Sequence, residues 1–310
     1  MNADRFANRP DIHAIILTLN EELHIARCIK SIAGQCTSVT VVDSGSSDRT
    51  ADIARELGSQ VVVNPFVNHS AQLNFAIDAL ASRGGWLFRI DADEVLNSET
   101  GCALADHIAR APPGVNGLVV ARRIHFLGRR IRWGGIEPNW QLRLWRNGRG
   151  RCEDRWMDEH VRVDGLIARS GVVISDINLN PISWWTAKHN GYASREALEV
   201  LNLRYGFMER ELSVHGSGRQ ARWRRFLKNR LYQKVPRGFR AAAYFLFRYF
   251  ALLGCLDGYP GWCFHTLQGF WYRSLVDAKV YEVERYSSMH GASIPAAIEA
   301  CLGLSVNRRL

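Results

Sequence analysis

WLFRIDADEVL, residues 86–96, is a short apolar run that ends in acids. Leu87, Phe88 and Ile90 are followed by Asp91, Asp93 and Glu94, and Gly84-Gly85 stands in front. A run this short with such flanks reads as a buried parallel strand. In an open α/β sheet, ligands bind at the carboxyl ends of the strands. Two carboxylates one residue apart on a loop leaving that edge can hold a hard divalent cation, Mg²⁺ or Mn²⁺, with substrate phosphates completing its shell. An acidic turn that caps the next helix is the other reading of an isolated D-x-D. The rest of the chain decides between them.

Working outward, His13–Leu19 is an apolar run that stops at Asn20-Glu21-Glu22. A helix over about 22–34 would turn Leu23, Ala26, Ile29 and Ile32 to one face. Residues 39–42 make a second strand, DSGSSDRT (43–50) a tight loop, 50–57 a helix and 60–63 a third strand. Strand-helix units joined by short Gly/Ser/Asp loops imply a doubly wound parallel sheet. Helix starts after such loops attract phosphate. Asp43, at the end of strand two, can accept from ribose hydroxyls or base N–H groups. No G-x-G-x-x-G follows strand one and no G-x-x-x-x-G-K-[ST] occurs, which excludes dinucleotide and P-loop chemistry. A nucleotide diphosphate on such a sheet needs another counter-charge, and a metal on Asp91 and Asp93 would supply it.

The 310 residues suffice for one large domain, or one domain with an appendage. A hydrophobic content of 47% with 10 Trp and 13 Phe excludes a disordered chain. The 7 cysteines are scattered without a C-x-x-C pair, which argues against a zinc cluster or a disulfide framework. With no signal-peptide pattern at the start, a reducing cytosol is expected. Residues 1–11 are polar and expected to be flexible. The net charge of +10 is concentrated: no acid occurs between Glu211 and Asp257, while 219–240 carries Arg219, Arg222, Arg224, Arg225, Lys228, Arg230, Lys234, Arg237 and Arg240. Solvated faces normally mix both signs, so this tract calls for an anionic partner.

Four segments stand in fixed order: TLNEE at 18–22, VVDSGSSDRTADIA at 41–54, AQLNFAID at 71–78 and IDADE at 90–94. Together they resemble the inverting family-2 glycosyltransferases of the GT-A fold, and among these the bacterial lipopolysaccharide-core β-glucosyltransferase-like enzymes. The resemblance implies an α/β, Rossmann-like, mostly parallel catalytic domain over 12–218, followed by a helical, amphipathic appendage over 219–310. It further implies that Thr18, Asn20 and Glu21 line a nucleotide pocket, with Asp43 and its neighbour Ser44 at the base. Asp91 would face the ribose or the metal, and Asp93 would ligate the metal. For Glu22 a helix cap is an equal reading.

Residues 114–150 alternate apolar and basic, with strands at 118–120 and 142–145 and a turn at Arg146-Asn147-Gly148. Arg143 is read as an exposed strand arginine, with a diphosphate contact as the alternative. In RWMDEHVRV (155–163), acids lie beside Trp156, Met157 and Val161, and desolvation there raises a carboxyl pKa toward that of a general base. The resembled family carries its base in such a motif. Glu159 is the first candidate and Asp158 the alternative, with His160 read as structural. Relatives supply a further metal ligand, a histidine, where this chain has Asp176. Residues 183–201 read as a helix resembling the family's K-H-N-x-Y-A segment, so Lys188 and His189 face either phosphate or solvent.

Near 219 the character changes. Trp223, Phe226, Leu227 and Leu231 form an apolar stripe flanked by cations, the composition of a helix lying in a membrane interface. Arg222, Trp223, Arg224, Arg225, Phe226 and Lys228 are its candidate membrane contacts. Ala241–Leu256 is expected as one buried or partly inserted helix, and Pro260-Gly261 as a turn.

These readings converge on metal-dependent transfer of a sugar from a UDP-linked donor to a lipid-linked glycan, at the inner face of the cytoplasmic membrane, in surface-polysaccharide assembly. A polyprenyl-phosphate acceptor, or a non-enzymatic basic module binding membrane or nucleic acid, are the competing readings. Against the last, no recognised nucleic-acid module accompanies the charge.

Overall fold

In β1 (Ile12–Thr18) the side chains of Ala14 and Ile16 enter one core cluster, with Phe88 and Leu144, while Ile15 enters another, with Leu73 and Trp145. Successive strand residues point to opposite faces, so an uninterrupted apolar run has to be covered on both sides. The computed structural model describes residues 9–97, 103–153, 161–208, 236 and 238–305. The chain divides into two units: 1–132 with 136–179, and 133–135 with 180–310.

The first unit is an α/β sandwich around a nine-stranded sheet. Its leading strands are β1, β2 (Ser38–Asp43), β3 (Gln60–Val63) and β4 (Trp86–Arg89), with helices α1 (Ile25–Ile32), α2 (Thr50–Glu56) and α3 (His69–Ala79) between them. Then come β5 (Glu94–Leu96), α4 (Leu104–Ala109), β6 (Val115–Phe126), β7 (Arg129–Ile131), β8 (Trp140–Arg146), β9 (Gly150–Cys152), β10 (Val161–Val163) and β11 (Leu166–Ile177). The strand order is β3-β2-β1-β4-β8-β6-β11-β5, with β7 joined to β6. From β3 to β4 all pairs are parallel, which places the ends of β1, β2 and β4 side by side. Beyond β4 the sheet is mixed: β8 is antiparallel to both β4 and β6, and β5 is antiparallel to β11.

Two local expectations change. Helix α1 buries Ile25, Cys28, Ile29 and Ile32, whereas Leu23 is 56% exposed. The helix starts later than Glu22 because residues 20–22 bond to the loop after β2 instead of coiling. Asp11, expected in a flexible tail, accepts a hydrogen bond from Trp86 N at 2.8 Å.

The second unit is helical: α5 (Ile182–Tyr205), α6 (Phe239–Leu246), α7 (Gly258–Phe264), α8 (Tyr272–His290) and α9 (Ile294–Leu302). Ala193, Ala197 and Leu201, four residues apart along α5, pack on Val276, Val280 and Val283 of α8 and on Ala297 and Ile298 of α9. The expected boundary at 218/219 lies outside the described residues, and α5 groups with this second unit. Ala241–Leu256 is not one helix. It passes from α6 into a wider π turn (Phe247–Ala251), breaks at Leu252-Leu253, and resumes as a 3₁₀ turn (Gly254–Asp257). Pro260-Gly261 is not a turn but lies in the first turn of α7, where proline's missing N–H has no intrahelical partner to lose.

Candidate active site

The three parallel strands end in a connected polar edge. Thr18 closes β1 opposite Asp43, which closes β2, and Thr18 Oγ1 donates to Asp43 Oδ1 at 3.0 Å. Asp43 is buried and also accepts from Gly45 N (3.0 Å), Ser46 N (2.8 Å) and Ser46 Oγ (2.5 Å). Its acceptor positions are filled by Thr18 and by its own loop, so this carboxylate shapes the 43–46 turn.

Asn20, with a positive φ of 55°, accepts from Ser47 N at 2.9 Å, and its own N–H donates to Ser46 Oγ at 2.8 Å. Glu21 N donates to Thr50 Oγ1 at 2.7 Å. The loops after β1 and β2 are thus stitched into one ledge. Glu22 does not cap α1; its carboxylate accepts from Arg49 N at 3.2 Å, just ahead of α2. Ser44 Oγ accepts from Gln72 Nε2 at 2.9 Å, and Ser44 N donates to Thr18 O at 2.9 Å.

Asp91 leaves the end of β4 into a network of opposite charges. Arg143 Nη2 lies 2.9 Å from Asp91 Oδ2 and 2.7 Å from Glu94 Oε1. Arg89 Nε lies 3.3 Å from Asp91 Oδ1. Arg122 reaches Glu94 Oε1 at 2.9 Å and Asp176 Oδ2 at 2.6 Å. Arg143 is therefore not an exposed strand arginine: it is buried, its Nη2 bridging the two acids while its Nε donates to Gln141 Oε1 at 3.1 Å. Burial works to raise the Asp91 carboxyl, yet the guanidiniums of Arg143 and Arg89 hold it well below the usual carboxylate range. Burial pushes Glu94 up to about 7 against the pull of Arg143, and Asp176 up to about 6 against that of Arg122. Three carboxylates share two deeply placed guanidiniums here, so the cluster retains a proton near neutrality more readily than separate acids would.

Asp93 stands apart from that pairing. Its Oδ2 accepts from Asn178 Nδ2 at 3.2 Å, and its backbone O from Ile177 N at 3.0 Å. Asp176 pairs across the sheet with Glu94 and is held by Arg122. Among the described residues no group of three or more His, Cys, Asp or Glu is arranged to share a metal ion. Asp91 meets arginine on both oxygens, while the Asp93 carboxylate accepts from the neutral amide of Asn178, so a divalent cation fits Asp93 better than a chelate of both.

The candidates for the base, Glu159 and Asp158, and the candidate membrane contacts Arg222, Trp223, Arg224, Arg225, Phe226 and Lys228 lie outside the described residues. The described flank of the first pair is anchored: Asn74 Nδ2 donates to Cys152 O, and Asn74 Oδ1 accepts from Cys152 N, both at 3.0 Å. Cys152 in turn pairs with Val161 across β9 and β10. In the second unit, His189 stacks on Trp185 with centroids 3.5 Å apart, and Lys188 Nζ sits 4.5 Å over the Trp184 ring. Both side chains are thereby engaged with their own helix.

Sequence reading missed Gln72, Asn74, Arg122 and His24, and gave Glu94 no partner. His24, fully buried, receives Leu179 N at Nε2 (2.9 Å), so its proton sits on Nδ1, 2.7 Å from Glu21 Oε2. The signal for Gln72 and Asn74 was present, as polar residues alternating with Ala71, Leu73 and Phe75 on a helix.

Residues 13–165 match the family model described as glycosyl transferase family 2. The chain is 32% identical over 147 residues to the lipopolysaccharide core biosynthesis glycosyltransferase LpsC of Rhizobium meliloti (strain 1021), covering 46% of this chain and 53% of that protein. It is 42% identical over 88 residues to an uncharacterized glycosyltransferase of Rickettsia felis, covering 28% of this chain and 30% of that one. The chain thus spans about half, or less, of the length of these relatives. Among solved structures, glucosyl-3-phosphoglycerate synthase from Mycobacterium tuberculosis, in complex with Mn²⁺, UDP and glucosyl-3-phosphoglycerate, aligns at TM-score 0.31 and 24% identity, over 37% of this chain and 44% of that one. With its motifs standing in order along the edge just described, residues 13–165 form a glycosyl transferase family 2 domain.

Proposed function

We propose that the chain is an inverting glycosyltransferase that moves a sugar from a nucleotide donor, UDP-linked, to a lipid-linked glycan in lipopolysaccharide or related surface-polysaccharide assembly. The observation that carries this reading is the side-by-side ending of β1, β2 and β4 in Thr18, Asp43 and Asp91, inside a family-2 domain. The name of the rhizobial relative supports the acceptor class.

The ledge of Asn20, Ser44, Ser46 and Ser47 offers short polar side chains and backbone groups to a nucleoside, while Asp43 keeps the ledge in shape. Asp93 would hold Mg²⁺ or Mn²⁺, which when bound neutralises the donor diphosphate. Asp91, fixed by Arg143 and Arg89, presents an ionised carboxylate to the ribose. Inversion needs one base: a carboxylate of Glu159, or of Asp158, takes the acceptor hydroxyl proton as that oxygen bonds to the anomeric carbon and the bond to the diphosphate breaks. The cationic tract at 219–240 would hold the protein at the anionic inner face of the cytoplasmic membrane, near such an acceptor.

Thermal shift of the purified protein against nucleotides, with and without Mn²⁺, tests the donor site. Saturating UDP at a hundredfold excess over Kd is expected to add about 2.7 kcal/mol. No shift with any nucleotide would remove the enzyme reading.

A further inference from the structure

Between Phe239 and Trp271 every exposed residue is apolar or aromatic, among them Phe239, Leu246, Phe247, Phe250, Leu256 and Trp262. The segment's charged side chains, Arg240, Arg248 and Asp257, are all buried and satisfied within the unit. Arg240 pairs with Asp277, Arg248 Nε donates to Gly134 O at 2.7 Å, and Asp257 Oδ2 accepts from Trp133 N at 2.9 Å. A surface made to face water does not withdraw every charge from so long a stretch. The continuation of α8 shows the contrast, for it exposes Glu282 and Arg285 together.

The shape fits a bilayer entered and left on one side. No single helix among the described residues is long and apolar enough to cross a membrane, but Phe239–Ala251 and Gly254–His290 pass that test as a pair bent by 73°. The first arm, at 1.5 Å per residue, reaches about 20 Å, short of the ~30 Å hydrocarbon core. Leu253, at a φ of 60°, turns the chain. Backbone at membrane depth must be bonded internally, and the turn meets that demand. Leu252 N donates to Phe247 O (3.0 Å), Leu253 N to Phe250 O (3.2 Å) and Leu256 N to Leu253 O (3.0 Å), while Leu252 O accepts from Gly134 N (2.8 Å).

We infer that residues 239–271 form a re-entrant hairpin that inserts into an anionic lipid monolayer, Phe247, Phe250 and Leu256 entering the acyl region. This deepens the membrane-surface reading above and rests on it for the lipid charge: the tract leading into the hairpin carries eight cations over 219–237 and no acid. Electrostatic attraction brings the surface near, and the apolar arm holds it there.

The test uses the full chain and vesicles of phosphatidylcholine with and without phosphatidylglycerol. Wild type should cosediment with the anionic vesicles and stay bound after a high-salt wash, because salt screens surface charge but not apolar burial. Phe247→Ser/Phe250→Ser, both at exposed positions, should melt like wild type yet lose salt-resistant partitioning by roughly a hundredfold. Lipids brominated in the acyl chain should quench wild type more than Trp262→Phe. Complete release of wild type by salt would overturn the inference. So would a double variant that binds vesicles unchanged while a wild-type dimer becomes monomeric, since the face would then belong to a second copy. Donor binding is read separately by the nucleotide thermal shift, so failure of either reading is recognised on its own.

Discussion

Arg143 and Glu94 form a buried ion pair: Nη2 of the one lies 2.7 Å from Oε1 of the other, with 5% and 0% of the side chains exposed. Removing one member of such a pair strands the other charge in a poorly solvating interior, at about 3–5 kcal/mol. Arg143→Met should therefore lower the unfolding free energy, read from denaturant curves, by an amount in that range, and Arg143→Lys by part of it, since an ammonium keeps the charge but loses the Nε bond to Gln141. A loss below about 1 kcal/mol would show that Arg122 and Arg89 carry the cluster without it.

The same cluster sets a pH dependence. Glu94 has its folded pKa raised to about 7 from an ordinary 4.5. Between those values the folded state binds more protons than the unfolded chain, so this group's contribution to stability falls as pH rises through the window. The contribution is fully present below about 4.5 and lost above about 7, a swing of roughly 3 kcal/mol. Comparing urea midpoints near pH 5 and near pH 7.5, Glu94→Gln should flatten the slope seen in wild type. A wild-type slope in which Glu94 adds stability with rising pH would sink the assignment.

Much of the first unit was legible because its central strands are buried on both faces. HAIILTL, VTVV and WLFRI cannot be covered on both sides except in a sheet wound with helices, while QVVV, half exposed, closes the edge of that sheet, and β1 to β4 lie where those runs predicted. The ion network was not legible. Arg143 meets partners 49 and 52 positions away, and a strand arginine carries no local mark of which carboxylate will cross the sheet to it. The break at Leu252-Leu253 was equally hidden, since it depends on Gly134, far away in sequence, supplying an N–H to Leu252 O.

Asn74 offers a positioning test. Its amide holds both backbone groups of Cys152, immediately before the segment that carries Glu159 and Asp158. Asn74→Ala removes two hydrogen bonds and should cost about 1–3 kcal/mol of stability. Its larger effect should fall on turnover, because a displacement of about 1 Å in a catalytic segment is worth up to ~100-fold in rate. The expected result is lower kcat with an unchanged UDP thermal shift. A fall in donor affinity with kcat preserved would place Asn74 with the nucleotide instead.

Asp91 and Asp93 should part company when each is changed to asparagine. Asp91 meets Arg143 at 2.9 Å and Arg89 at 3.3 Å, so Asp91→Asn uncovers buried positive charge and should cost about 2–4 kcal/mol without any metal present. Asp93 bonds through its carboxylate to the amide of Asn178 at 3.2 Å, a neutral partner that an asparagine can still satisfy. Asp93→Asn should thus change metal-free stability by less than about 1 kcal/mol. With Mn²⁺ and UDP the order reverses: Asp93→Asn should lose the metal-dependent part of the nucleotide shift, and Asp91→Asn should keep some of it. Thermal shifts of both variants, with and without Mn²⁺, decide the matter. Equal loss of the Mn²⁺ effect in both would mean that the two carboxylates chelate the ion together, and that the arginines release Asp91 when the donor arrives.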